Sequence, residues 1–395
     1  MDKPRYDFET LPGRSLFGSA KCGDMRGRNP AVPPGIVPFS VADMELRTAP
    51  EIVEGLKEFI DSDVLGYAAP RGDYYEAVAG WMRRRHDWEV DPETIVGYPG
   101  IVPALFAAVN AFTAPGDGVV VMPPVYYPFF AAINTTGRRI VEAPLVESGG
   151  MYRMDMDLFR ERAAEKDVTL IILCSPHNPV GRVWAEEELR ELGRIAMENG
   201  VIVASDEIHF DIVGPGHTHR VFARLGQDYA DNCIVCTAPS KTFNLAGLQA
   251  SNIIIPNRKL LDRFLVAKHS AGLRALGILA YRAAQLAYER AEPWLDALLV
   301  HIAENGRLVR AFIACHFPEV RVFPLEGTYL LWLDFRAWGM DAKELETFMT
   351  RKALLFFDEG HVFGTGGAGF ERINLACPSR ILMEGLERLR AAKMS

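Results

Sequence analysis

Val201-Ile202-Val203-Ala204-Ser205-Asp206 is an apolar run of strand length that ends on a carboxylate, and Cys233-Ile234-Val235-Cys236-Thr237 is a second that leads, through Ala238-Pro239, to Ser240-Lys241-Thr242-Phe243-Asn244. Neither run alternates apolar with polar residues. Continuous apolarity implies burial on both faces, as in the central strands of a parallel sheet covered by helices. Each run therefore carries one charged group to the mouth of a buried strand.

From about Thr94 to Ile255 further short runs rich in Val and Ile fall at 119–122, 139–141, 168–174 and 250–255. Helical patterns of roughly ten to fifteen residues separate them, which is the signature of βαβ units. The stretch 186–199 is the clearest helix: Glu186, Glu187 and Glu188 complement the positive helix start, and Gly200 is placed to end it. The fold class that follows is α/β, a mostly parallel central sheet with helices on both faces. Beyond Pro293 the pattern changes to a long amphipathic helix over 294–317 and shorter strands over 320–323 and 329–333, a smaller α+β domain. The expected division is residues 46–290 as the large domain, with 1–45 and 291–395 as an N-terminal arm plus the small domain. The Pro- and Gly-rich stretch 30–38 reads as an irregular part of that arm.

A chain of 395 residues exceeds the size at which a single core stops growing, in keeping with two domains. With 49% hydrophobic and 24% charged residues it is too apolar for a disordered protein. A net charge of −8 argues against nucleic-acid partners. The polar opening, Met1 to Asp7, lacks the apolar core of a secretory signal, and no apolar run is long enough to span a bilayer, so the expected location is cytoplasmic. Six cysteines are too sparse for a disulfide framework and read as thiols, mostly buried.

Five pieces have distinct physical jobs. Gly100 precedes a helix running to about Phe112, so the free N–H groups of Ile101 and Val102 could hold a phosphate. Tyr126, in Pro124-Val125-Tyr126-Tyr127-Pro128, follows a strand where it could stack on a flat ring. Asn178, in Ser175-Pro176-His177-Asn178-Pro179, sits in a proline-braced loop and presents an amide to a ring oxygen or a carboxylate. Asp206 could pair with a protonated pyridine nitrogen, and Lys241 could carry the same cofactor as a Schiff base. Each has a plainer reading in isolation: a helix start that binds nothing, a packing tyrosine, a turn cap, a helix cap, a solvated lysine. Their placement at the carboxyl ends of strands of one sheet, the edge where open α/β folds bind ligands, favours function. Together they suggest pyridoxal phosphate.

These ordered motifs resemble the fold-type I, class I/II aminotransferase-like family of pyridoxal-phosphate enzymes, over nearly the whole chain. Ser240 to Gln249 and Asp206-Glu207-Ile208-His209 are similar to the MalY/PatB branch, which holds cystathionine β-lyase-like C–S lyases. The resemblance implies that Lys241 carries the cofactor and acts as base, that Asp206 keeps the pyridine nitrogen protonated, that Asn178 bonds the ring oxygen and that Tyr126 stacks on the ring. It places Gly100, Ile101, Val102, Ser240 and His209 around the cofactor. It makes Arg372, in Glu371-Arg372-Ile373-Asn374-Leu375, the grip on the substrate α-carboxylate, for which its bidentate fork is suited. Tyr67 would reach the phosphate of a neighbouring subunit, implying a homodimer with shared active sites. Two departures from the common aminotransferase pattern, Gln249 in place of a phosphate-binding arginine and His209 in place of a tyrosine, recur in the C–S lyase branch.

Other motifs read as decoys. Gly364-Thr365-Gly366-Gly367-Ala368-Gly369 has dinucleotide spacing but precedes a strand-like segment and reads as a flexible loop near the site. Cys233 and Cys236 point to opposite faces of a strand. Arg83-Arg84-Arg85-His86 reads as a solvated helix face. His209 with Asp211 and His217 with His219 lack zinc spacing, and no metal is expected. The function expected is β-elimination from cystathionine, cysteine or a related S-conjugate; an aminotransferase and a mainly regulatory cofactor-binding protein are the alternatives.

Overall fold

The computed structural model describes residues 5–13 and 18–395. Met1 to Pro4, part of the polar opening read for a signal segment, and positions 14–17 of the arm lie outside the described residues. The strands are β1 (Ile95–Tyr98), β2 (Gly118–Val121), β3 (Arg139–Glu142), β4 (Val146–Ser148), β5 (Met151–Arg153), β6 (Val168–Cys174), β7 (Ile202–Asp206), β8 (Cys233–Thr237), β9 (Ser251–Ile254), β10 (Arg321–Val322), β11 (Leu330–Asp334), β12 (Asp358–Glu359) and β13 (Phe370–Asn374). Seven of them form one sheet in the order β1-β9-β8-β7-β6-β2-β3. The central pairs β3-β2, β2-β6, β6-β7 and β7-β8 are parallel, while β9 runs antiparallel to both β8 and β1. The mostly parallel sheet expected from the apolar runs is therefore present, with one reversed strand near an edge. β1 was not among the expected strands: four residues interrupted by Gly97 and closed by Pro99-Gly100 leave no apolar run to read.

Both faces of this sheet are covered. Val120, Ile171, Leu173, Val203, Val235 and Ile254 pack into one core with Trp81, Leu192 and Tyr288, whereas Val119, Leu170, Ile172, Ala204, Ile234 and Ile253 pack into a second with Leu105, Phe129 and Phe264. Successive side chains along one strand enter different cores, the period of two that a pleated strand imposes. Each fully buried Val, Leu or Ile contributes about 1.5–3 kcal/mol, and the two layers hold the sheet edge rigid. Cys233 belongs to the first core and Cys236 to the second, so the two thiols do face apart. The helix Glu186–Glu198 ends before Gly200, which adopts φ +69°.

The second sheet, β10-β11-β13-β12, is antiparallel throughout. It packs with the 25-residue helix Glu292–His316 and the helix Ser379–Met394 around Val309, Phe312, Leu331, Ile373 and Leu382. Residues 39–45 lie along this sheet: Phe39 N–H donates to the Phe356 carbonyl, Phe39 carbonyl accepts from Asn374 N–H, and Glu45 N–H donates to the Ala376 carbonyl. The arm is thus pinned by backbone hydrogen bonds and ends at the mouth of the large sheet.

One sequence expectation is corrected. The run Arg83 to His86 is a solvated face only in part: Arg83 is exposed, but His86 Nε2 lies 2.7 Å from Asp211 Oδ1 and its ring stacks on Phe210. It closes the helix Gly72–His86 on the side that faces the core, where a carboxylate awaits it. The glycine run 364–369 forms a turn that leads into β13, with Thr365, Gly366 and Ala368 exposed. Gly367 N–H donates to the Gly364 carbonyl, and a Cβ on Gly367 would fall 2.0 Å from the Gly360 oxygen, so no larger residue fits between the two strands of backbone.

Candidate active site

The parallel strands β2, β6, β7 and β8 end at one edge of the large sheet, and β1, twice reversed, ends there too. At that edge lies a cavity of about 230 Å³ lined by Gly100, Ile101, Val102, Tyr126, Asn178, Asp206, His209, Ser240, Lys241 and Gln249, among others. Nine of the sequence-derived candidates, from five different strand ends, therefore share one wall-to-wall site. Packing of the strands on two cores is what brings residues 140 positions apart together.

Gly100 takes φ +102°, a conformation open to glycine, and turns β1 into the helix Ile101–Phe112. The first N–H groups of a helix have no intrahelical partner, and the dipole of a 12-residue helix adds partial positive charge there. Ile101 and Val102 bring that pole to the cavity, which Ser240 also lines. The wall suits an anion.

Asp206 is the last residue of β7 and is 3% exposed. Burial, with the nearby Glu207 charge, pushes its carboxyl up to about 7, although the Ile208 N–H (3.1 Å to Oδ1) and the Lys241 charge pull the other way. Its role as a helix cap is excluded, because a turn follows it. Lys241 sits in the short helix Pro239–Thr242, and its Nζ donates to the Ala42 carbonyl at 2.5 Å. Burial and the Arg372 charge lower its amine to about 8, against the opposing pull of Asp43 and Asp206. A neutral amine is a nucleophile and a base, so a lysine of this kind is suited to both roles. The next residue, Thr242, is fixed by a 2.7 Å bond from its Oγ1 to Asp211, which also accepts from Trp81 Nε1.

His209 is 2% exposed, with Nδ1 lacking a partner among the described residues. Burial first, then the charges of Lys241 and Arg372, hold its pKa well below the ordinary value, so the ring is neutral. Tyr126 stands at the cavity with its ring against Phe129 at 5.8 Å between centroids. Asn178 is buried, and its Oδ1 accepts from Arg372 Nη1 at 2.8 Å, which leaves its amide NH₂ as a donor.

Arg372 is not on the cavity wall; it reaches the site through Asn178. Its guanidinium is 2% exposed, donates also to Asp358 and lies 4.9 Å over the Phe363 ring. Tyr67 is not brought to the cavity: its side chain is fully exposed, beside the exposed Val64 and Leu65. Sequence reading missed Ala42, Cys174 and Asp358. Ala42 carries no signal, because its backbone carbonyl does the work. Cys174, the last residue of β6, could have been placed by the strand-end logic that found Asp206. Asn244 was quoted only as part of the lysine segment; its Oδ1 accepts from Met44 N–H and its Nδ2 donates to the Leu46 carbonyl, tying the arm to the lysine loop.

An anion-binding helix start, a buried carboxylate, a neutral imidazole nitrogen and a lysine amine around a small cavity suit a flat, phosphorylated pyridine that carries an aldehyde. Comparisons with known proteins agree. Residues 34–389 match the model of the aminotransferase class I and II family. The chain is 44% identical over 372 residues to cystathionine beta-lyase PatB of Bacillus subtilis, covering 94% of this chain and 95% of that protein. It is 31% identical to protein MalY of Escherichia coli, covering 90% of each. Cystalysin from Treponema denticola, whose crystal structure contains a pyridoxal 5'-phosphate cofactor, superposes with a TM-score of 0.97 at 45% identity, covering 98% of this chain and 99% of that one.

Proposed function

The chain belongs to the aminotransferase class I and II family, and from that premise we propose that it is a pyridoxal phosphate-dependent carbon–sulfur β-lyase. Its substrates are cystathionine, cysteine or a related S-conjugate, and its products a thiol, pyruvate and ammonia. The observation that carries the reading is the convergence of Lys241, Asp206 and the helix start at Gly100 on one cavity. The similarity to PatB over 94% of the chain supports the lyase outcome.

When bound, pyridoxal phosphate supplies an electron sink for a carbanion at the substrate α-carbon. The chain supplies the rest. The N–H groups of Ile101 and Val102 and the Ser240 side chain hold the phosphate, which leaves Gln249 as a neutral neighbour where an arginine would add charge. Asp206 keeps a proton on the pyridine nitrogen; pairing with that cation relieves the burial cost that pushes its carboxyl up to about 7. Asn178 would donate its amide to the ring oxygen, and His209 and Tyr126 would help to hold the ring. Lys241, neutral above about pH 8, takes the α-proton. Arg372 holds the α-carboxylate and so orients the Cα–H bond toward that amine. The Cβ–S bond then breaks, and the sulfur leaves with the electron pair.

The division into a cofactor-bearing unit, 46–290, and an arm plus small unit, 1–45 and 291–395, accords with this arrangement. A homodimer is supported by the exposed apolar segment at Val64, Leu65 and Tyr67, with Tyr67 serving the partner's phosphate. No described helix is long and apolar enough to cross a membrane, and the cysteines are free thiols; both accord with a cytoplasmic enzyme.

The test is to supply the purified protein with cofactor and L-cystathionine and to measure thiol and pyruvate. Release of both without a keto acid is expected. Turnover that requires a keto acid and releases no thiol would make the chain an aminotransferase, the reading that the family model by itself also favours.

A further inference from the structure

Asp358 and Arg372 are cross-strand partners on β12 and β13, so their side chains rise from adjacent strands on one face. Arg372 Nη1 donates to Asn178 Oδ1, Nη2 donates to Asp358 Oδ2, and Nε is buried without a partner among the described residues. The same Asp358 Oδ2 accepts the backbone N–H of Val41 at 2.8 Å. The two partners differ in depth: the Arg372 side chain is 2% exposed and that of Asp358 13%.

A guanidinium buried this far requires a negative partner, because an unpaired buried charge is strongly destabilising. In the absence of substrate Asp358 supplies it. An amino acid brings a carboxylate of its own to the same guanidinium. Two carboxylates on one cation leave the cluster net negative at close range, and like charges held together in a buried site repel by several kcal/mol. One of them has to give way. Asp358 is the more exposed of the two Arg372 partners and keeps a second donor, Val41 N–H, whereas the substrate is fixed by its covalent geometry.

We propose that Asp358 is a resident carboxylate that occupies Arg372 when no substrate is present and yields that place to the α-carboxylate of the incoming amino acid, thereby setting the affinity for substrate. The inference rests on the reading of Arg372 as the substrate's carboxylate anchor. Asp358 touches neither the reacting atoms nor the cofactor; it is a positioning residue. Its removal therefore acts on binding and not on the chemical step.

The test uses the cofactor-loaded Asp358→Asn and Asp358→Ser variants. The expected result is a KM for L-cystathionine lower by about tenfold with kcat changed by less than about threefold, since only a competitor for binding has been removed. A parallel titration with L-alanine, which has no β-leaving group, followed by the cofactor's absorbance, is expected to give a Kd lowered by the same factor. An unchanged or raised KM in both variants would overturn the inference, as would a failure of both to fold, because a displaceable carboxylate is not required to hold the arm in place. Arg372→Gln separates the two readings. If it leaves KM unaltered, the carboxylate anchor itself is misassigned; if it raises KM while Asp358→Asn does not lower it, the resident-carboxylate inference alone fails.

Discussion

At the edge of the seven-stranded sheet, Asp206 and Lys241 are shifted toward neutrality, to about 7 and about 8, because burial outweighs the attraction between their charges. On the side of the four-stranded sheet and the arm, three buried cations are paired, Arg372 with Asp358, Lys21 with Glu45 at 2.8 Å and Arg28 with Glu359, while burial pushes the lone carboxyl of Glu371 on β13 well above the usual carboxylate range. The first region leaves its charge unmatched and so reserves that free energy for a cofactor that completes it. At Arg372 in the second, anything that binds has to replace a partner already present. One side of the site is built to be filled, the other to be exchanged.

The largest break in this comparison is Lys241→Ala. Losing the amine that holds the cofactor and takes the α-proton is expected to lower thiol release about 10⁴-fold, measured on L-cystathionine with excess cofactor. Arg372→Lys tests the exchangeable side. A point charge replaces a planar fork, so KM is expected to rise about tenfold or more with a smaller change in kcat, read from initial rates.

Asp206→Asn tests whether the unmatched charge costs stability. A carboxyl whose folded pKa, about 7, lies above its ordinary 3.8 binds its proton more tightly when folded. Its contribution is fully present below pH 3.8 and is lost as pH rises to about 7. The cofactor-free Asn variant is therefore expected to be more stable than the unmodified protein above pH 7 by about 1–3 kcal/mol, in denaturant melts, while losing activity. The two proteins should converge as pH falls. A smaller effect concerns Lys241: only its neutral amine attacks an aldehyde, so the rate of cofactor capture by the cofactor-free protein is expected to climb with pH and level off above about 8. Stopped-flow absorbance reads it directly. The smallest is Lys57→Ala, which breaks an exposed pair with Glu54 and is expected to leave Tm unchanged, as exposed pairs contribute little.

Buried parallel strands announce themselves because continuous Val and Ile runs have no other use, and β6 and β8 were legible to the residue at both ends. Reading which residue follows each run located Asp206, Asn178 and Lys241. β1 was not legible, because its apolar character is four residues long and broken by glycine. Nor was the burial of the His86 side chain: the three arginines before it mark a wet helix face, and only the approach of Asp211 from a distant loop shows that the final ring is covered.

The fold class and the residues at the strand ends follow from local apolarity and residue type, and the cofactor chemistry from the family resemblance that those residues carry. The sequence by itself could not determine that the Ala42 carbonyl holds Lys241 Nζ, that Asn178 is already bonded to Arg372, or that Asp358 sits on that arginine. The first two join residues 199 and 194 positions apart, the first through a backbone carbonyl that every residue carries alike, and the third depends on the register of two short strands. Packing of the arm and the small sheet against the large one decides them, and with them the state of charge in which the site meets its substrate.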